Sequence, residues 1–95
     1  MSKTIWKFQL EPVISMPKGA EILTVQTQAG TPFVWALVNP EAENEYRYFD
    51  IFGTGHNVPV GTEVMKYVAT YQLHGGNLVF HVFEKDTSKW KREKR

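Results

Sequence analysis

The chain reads as an all-β domain of about six antiparallel strands folded into a small sandwich or barrel. Three observations predict this. Short apolar runs alternate with polar residues, Gly/Pro turns separate them, and no segment sustains a 3.6-residue period. At 95 residues there is room for one domain, and 42% hydrophobic with 14% aromatic residues supplies one core. That composition excludes disorder for the main body.

The elements follow in order. From Thr4 to Glu11, Trp6, Phe8 and Leu10 share one face while Lys7 and Gln9 take the other, which predicts a half-buried strand. Pro12 to Ala20, with two prolines and Lys18-Gly19, reads as a connection. Glu21 to Ala29 is the second strand, with Leu23 and Val25 expected inside and Thr24, Gln26 and Gln28 outside. The Ala29-Gly30-Thr31-Pro32 turn joins it to a third strand, Phe33 to Asn39, as a hairpin. After the acidic loop Pro40 to Glu45, Tyr46 to Phe52 is the fourth strand, ended by Gly53-Thr54-Gly55-His56. A loop from Asn57 to Glu63 precedes the last hairpin, Met65 to Leu73 and Leu78 to Glu84, turned by His74-Gly75-Gly76-Asn77. Gly-Gly tolerates the positive φ angles of such a turn. A short helix is expected near Asp86 to Lys94, capped by Asp86, Thr87 or Ser88. The division is thus a β domain over 1–85 and a basic tail over 86–95.

Charge is uneven along the chain. The formal total is +1, but residues 85–95 hold six basic and two acidic residues, a local +4, so residues 1–84 sum to −3. A basic nucleic-acid footprint is confined to the tail, and nucleic acid is not an expected partner of the domain. No cysteine is present, so disulfides and thiolate-bound zinc play no part, which fits a reducing compartment. No apolar stretch approaches the ~20 residues that span a bilayer, and the first residues lack a signal-peptide pattern. The expectation is a cytoplasmic protein without a membrane partner.

Two runs are apolar on both faces. Phe33, Trp35 and Leu37 oppose Val34, Ala36 and Val38, and Leu78, Phe80 and Val82 oppose Val79, His81 and Phe83. Leaving such a face wet forgoes about 1.5–3 kcal/mol per large side chain. A curled sheet, the C-terminal segment or another copy must cover it, and a homo-oligomer, most simply a two-fold dimer, is the expectation.

No catalytic motif is found, and the protein is expected to be non-catalytic, without cofactor or metal. Gly53-Thr54-Gly55-His56 could cradle an anion through freed N–H groups, but Asn57-Val58-Pro59-Val60-Gly61 forbids the helix that a Rossmann or P-loop site requires. His56, His74 and His81 lack metal-site spacing. His81 reads as a buried or interfacial histidine with hydrogen-bonded ring nitrogens. If Phe49 and Ile51 face the core, Tyr46 and Tyr48 project outward with Asp50, flat aromatics suited to interfaces and base stacking. Arg47 and Lys66 would supply positive charge near them if their strands pair.

Taken together, Met16-Pro17-Lys18-Gly19-Ala20 with Ile22-Leu23-Thr24-Val25-Gln26, Trp35-Ala36-Leu37-Val38, Gly53-Thr54-Gly55-His56, and Tyr71-Gln72-Leu73 through Gly75-Gly76 to Val79–Glu84 resemble a family of short, functionally uncharacterised proteins of tailed bacteriophages and prophages. The likeness covers roughly residues 4–84 and carries over no catalytic residue. It implies a phage accessory protein acting in the cytoplasm of the bacterial host. Small phage proteins of that kind often counter host defence, some as oligomeric sponges for signalling nucleotides. The leading expectation is such a sponge, with a ligand site of Tyr46, Arg47, Tyr48, Gly53, Thr54, Gly55, His56 and Lys66. The alternative is a protein–protein module that binds and inhibits a host or phage protein, such as a host defence protein, without a small ligand.

Overall fold

The computed structural model describes residues 2–59 and 64–86, and among these described residues there are seven strands. They are β1 Thr4–Gln9, β2 Val13–Pro17, β3 Glu21–Gln28, β4 Thr31–Val38, β5 Asn44–Gly53, β6 Val64–Leu73 and β7 Leu78–Asp86, with a single 3-10 turn at His74–Gly76. Every strand pairing is antiparallel. A three-stranded sheet in the order β1-β4-β3 packs on a four-stranded sheet in the order β2-β5-β7-β6. The thinnest extent of the Cα trace is 15 Å, as two layers about 10 Å apart require. The expected all-β sandwich is therefore the architecture.

Alternation builds the core. Val34, Ala36 and Val38 of β4 and Val25 of β3 face Ile14 and Met16 of β2, Phe49 of β5, Ala69 and Tyr71 of β6, and Val82 of β7. Leu10 and Ala20, at the ends of connections, are buried with them. Burial pushes the Tyr71 phenol above its ordinary value of 10.0. The second faces of the two-sided runs, with Phe33, Trp35 and Leu37 on one sheet and His81 and Phe83 on the other, are half-buried. Lys7 contributes to that cover: its Nζ stands 4.5 Å from the Phe33 ring centroid and 5.7 Å from that of Trp35, and it donates to Gln28 Oε1.

Two readings are corrected. The connection over Pro12 to Ala20 contains β2, because Ile14 and Met16 alternate inward while the strand pairs with the first half of β5. Prolines at 12 and 17 are tolerated because β2 is an edge strand. Leu23 is 43% exposed, since a bulge between Ile22 and Thr24 shifts the register and sets Ile22, in its place, opposite Ala36. Asp86 ends β7, and the expected helix beyond it lies outside the described residues. The loop residues 60–63 lie outside them as well.

The β3–β4 hairpin is tighter than the Ala29–Pro32 span suggested. Gln28 pairs with Thr31, so Ala29 and Gly30 alone turn the chain, with φ of 53° and 81°. Two positive φ angles define the type I′ turn that suits a two-residue hairpin. Alanine in that region costs about 1–2 kcal/mol. Ala29→Asn should therefore raise unfolding stability by about 0.5–1 kcal/mol, read by urea denaturation. A loss would contradict this account of the turn.

Candidate functional site

Strand β5 sorts its side chains by parity. Phe49 is 2% exposed in the core, so Glu45 and Arg47 share its inward side, while Tyr46, Tyr48, Asp50 and Phe52 take the outward side. Neighbouring strands extend that outer face. Register sets Asp50 beside Phe83 and Phe83 beside Tyr67, then Phe52 beside His81 and His81 beside Thr70. Phe83 lies edge-on between Phe52, at 5.9 Å, and Tyr67, at 5.6 Å between ring centroids. Tyr46 is 65% exposed and Tyr67 54%. The charged pair on this face is Lys85–Asp50, 3.5 Å apart.

A chain of hydroxyls runs through His81. Tyr67 Oη lies 2.7 Å from Thr70 Oγ1, Thr70 Oγ1 2.9 Å from His81 Nδ1, and His81 Nε2 2.7 Å from Thr54 Oγ1. Thr54 Oγ1 in turn donates to the Val79 carbonyl at 3.4 Å. That last bond sets the direction of the rest: Thr54 accepts from the Nε2–H of His81, Nδ1 accepts from Thr70, and Thr70 accepts from Tyr67. Each proton then has one acceptor, and both ring nitrogens are bonded. The arrangement pins a flat aromatic surface in place, with the imidazole held between two threonine hydroxyls.

The eight residues expected to bind a ligand are divided between two sides of the sheet. Tyr46, Tyr48 and Thr54 lie on the outer face. Arg47 lies on the other: its Nε donates to Glu84 Oε2, its Nη2 to Glu84 Oε1 at 3.1 Å, and its Nη1 to the Ala20 carbonyl at 2.8 Å. Lys66 is set opposite Glu84 as well, because β7 intervenes between β5 and β6, which do not pair. Gly53 and His56 also sit away from the tyrosines. Gly53 pairs with Phe80, and a Cβ built on it would come within 2.9 Å of the His56 ring. Gly55, at φ 88°, closes the turn, where His56 N–H donates to the Gly53 carbonyl at 3.0 Å. Among the described residues no three His, Asp or Glu side chains gather as a metal site.

Phe52, Tyr67, Thr70 and Phe83 were missing from the expected site. The alternation of Val79, His81 and Phe83 signalled an outer face, but the bulge between Tyr67 and Ala69, which brings Tyr67 level with Phe83, leaves no mark in the pattern.

Fold and surface together define a two-sheet β-sandwich that presents an aromatic sheet face. The chain matches a domain of unknown function, DUF7352, over residues 1–93, and belongs to that family. Neither the curated proteins nor the solved structures gave a match.

The hydrogen-bond direction is testable. Ring nitrogen shifts of His81 should show the Nε2–H tautomer at neutral pH, and Thr70→Val should release it toward a tautomer mixture. An Nδ1–H tautomer in the unsubstituted protein would contradict the assigned chain.

Proposed function

We propose that this chain is a non-catalytic binding protein whose outer aromatic face, Tyr46, Tyr48, Phe52, Tyr67 and Phe83, engages a protein partner. The observation that carries this reading is the sorting on β5, which gives the aromatics one face and Arg47 the other. Interface cores are rich in Tyr, Phe and Trp and poor in charge, and tyrosines are frequent hot spots. A face whose ion pair is Lys85–Asp50 fits that description. Resemblance to proteins of tailed phages gives the setting: an accessory protein that inhibits a host defence or phage protein in the bacterial cytoplasm. Among the described residues no helix is long and apolar enough to cross a membrane.

The nucleotide-sponge reading is favoured by outward Tyr46 and Tyr48 and by the hydroxyls of Thr54 and Thr70, which suit a base and a sugar. It needs a cation beside them that is not already matched; Arg47 and Lys66 stand on the opposite side with Glu84, and Lys85 on the outer face is paired with Asp50. The protein-partner reading therefore leads.

A photo-crosslinking residue placed at Tyr46 tests it in bacterial lysate. The expected result is one cross-linked protein, whose affinity for the purified chain falls about ten-fold or more with Tyr67→Ala. Native mass spectrometry that instead finds a fixed nucleotide mass per chain, with no cross-linked protein, would contradict the reading and restore the sponge.

A further inference from the structure

Strand β1 is the most exposed of the edge strands. It pairs with β4 alone, and five of its six residues are exposed. Its large side chains point both ways and neither side is covered: Ile5 is 56% exposed on the outer face and Trp6 41% exposed on the inner one. An open ladder flanked by wet apolar groups on both sides is the feature natural sheets avoid unless something pairs with it.

The hydrogen-bond pattern shows which groups are on offer. Leu10 N–H donates to the Pro32 carbonyl at 3.0 Å, which makes Leu10–Pro32 a hydrogen-bonded pair of the antiparallel ladder. Such pairs alternate, so Phe8–Val34, Trp6–Ala36 and Thr4–Val38 are hydrogen-bonded too, and their N–H and C=O groups point at β4. The N–H and C=O groups of Ile5, Lys7 and Gln9 consequently point away from the sheet, along the free edge.

We propose that a second copy of this chain docks there, its β1 antiparallel to the first about a two-fold axis at Trp6, joining two three-stranded sheets into one. Opposed residues in an antiparallel pair must be of the same type, so only registers that set odd residues opposite odd ones close the ladder. Two of these overlap most of the strand. The register centred on Lys7 sets Lys7 against Lys7 of the second copy, and like charges directly opposite are destabilising. The register centred on Trp6 sets Ile5 against Lys7, Thr4 against Phe8, and Trp6 against Trp6 in a non-hydrogen-bonded pair, where side chains approach most closely. Lys7 leans over Phe33 and Trp35 of its own sheet toward Gln28, away from the free edge, so its ammonium leaves the approach of a second copy open. A copy of the same strand thus covers the wet inner side, Trp6 by Trp6, and pairs the open N–H and C=O groups of Ile5 and Lys7. This surface is separate from the aromatic face of β5, β6 and β7, and stands or falls independently of it.

The test uses the full chain with two substitutions at one exposed position. Ile5→Glu sets a carboxylate opposite Lys7 and Ile5→Lys sets an ammonium there, while both lose the same isoleucine. Sedimentation equilibrium should show a dimer, and Ile5→Glu should bind at least about ten-fold tighter than Ile5→Lys. In the unsubstituted chain, raising the concentration should slow amide exchange at Ile5 and Lys7 and leave Trp6 and Phe8, already bonded to β4, unchanged. A monomer at all concentrations would overturn the proposal. So would a dimer with equal affinities for the two variants, or one in which Ile5 and Lys7 exchange freely.

Discussion

The guanidinium of Arg47 is the group on which the junction of the two sheets depends: it forks onto Glu84 within the four-stranded sheet and reaches the backbone that leads into β3. It extends from β5 to the Glu84 carboxylate on β7 and to the Ala20 carbonyl just before β3. Glu45, 3.5 Å from Arg47, also accepts the N–H of Gly19 at 3.1 Å. One cation therefore joins the four-stranded sheet to the turn that starts the second strand of the other sheet. Arg47 and Glu84 side chains are 17% and 16% exposed, dry enough for a lost partner to be costly. Lysine could not substitute, because one ammonium lacks the planar fork that satisfies a carboxylate and a carbonyl together.

That contact also explains the character of the outer face. Once β5 turns Arg47 inward, period-two alternation sends Tyr46 and Tyr48 outward. The strand thereby divides its groups: Glu45 and Arg47 hold the turn that leads into β3, and the two tyrosines face outward. The His81 hydroxyl chain supports the same surface from β7 and β6, and Phe83 is held between two rings. Rigid, pre-arranged aromatics lose little entropy on binding, which favours a partner that needs a flat contact.

Much of the fold was legible because strand alternation and turn chemistry are local. The split of β4 into a Val34, Ala36 and Val38 face and a Phe33, Trp35 and Leu37 face, the Gly75-Gly76 turn and the outward tyrosines all followed from that, though not which face of β4 lines the core. Features that depend on pairing between distant strands were not legible. Leu23 looked inward because a bulge leaves no trace in a period of two, and β2 looked like a loop because its prolines punctuate an edge. Arg47 was grouped with Tyr46 and Tyr48 by nearness along the chain, although adjacent residues of a strand face opposite ways. Lys66 was tied to them on the assumption that β5 and β6 are neighbours, and β7 lies between them.

The most direct test of the claim that Arg47 is a structural fork is a double-mutant cycle with Arg47→Met and Glu84→Leu, followed by urea unfolding. Arg47→Met should cost about 2–4 kcal/mol, because it strands the Glu84 carboxylate; Glu84→Leu should cost less, because Glu45 still faces Arg47, and the double should cost clearly less than the two together. A coupling energy of about 2 kcal/mol is the expected result. Additive and small effects would contradict the account and leave Arg47 available as a ligand-binding cation.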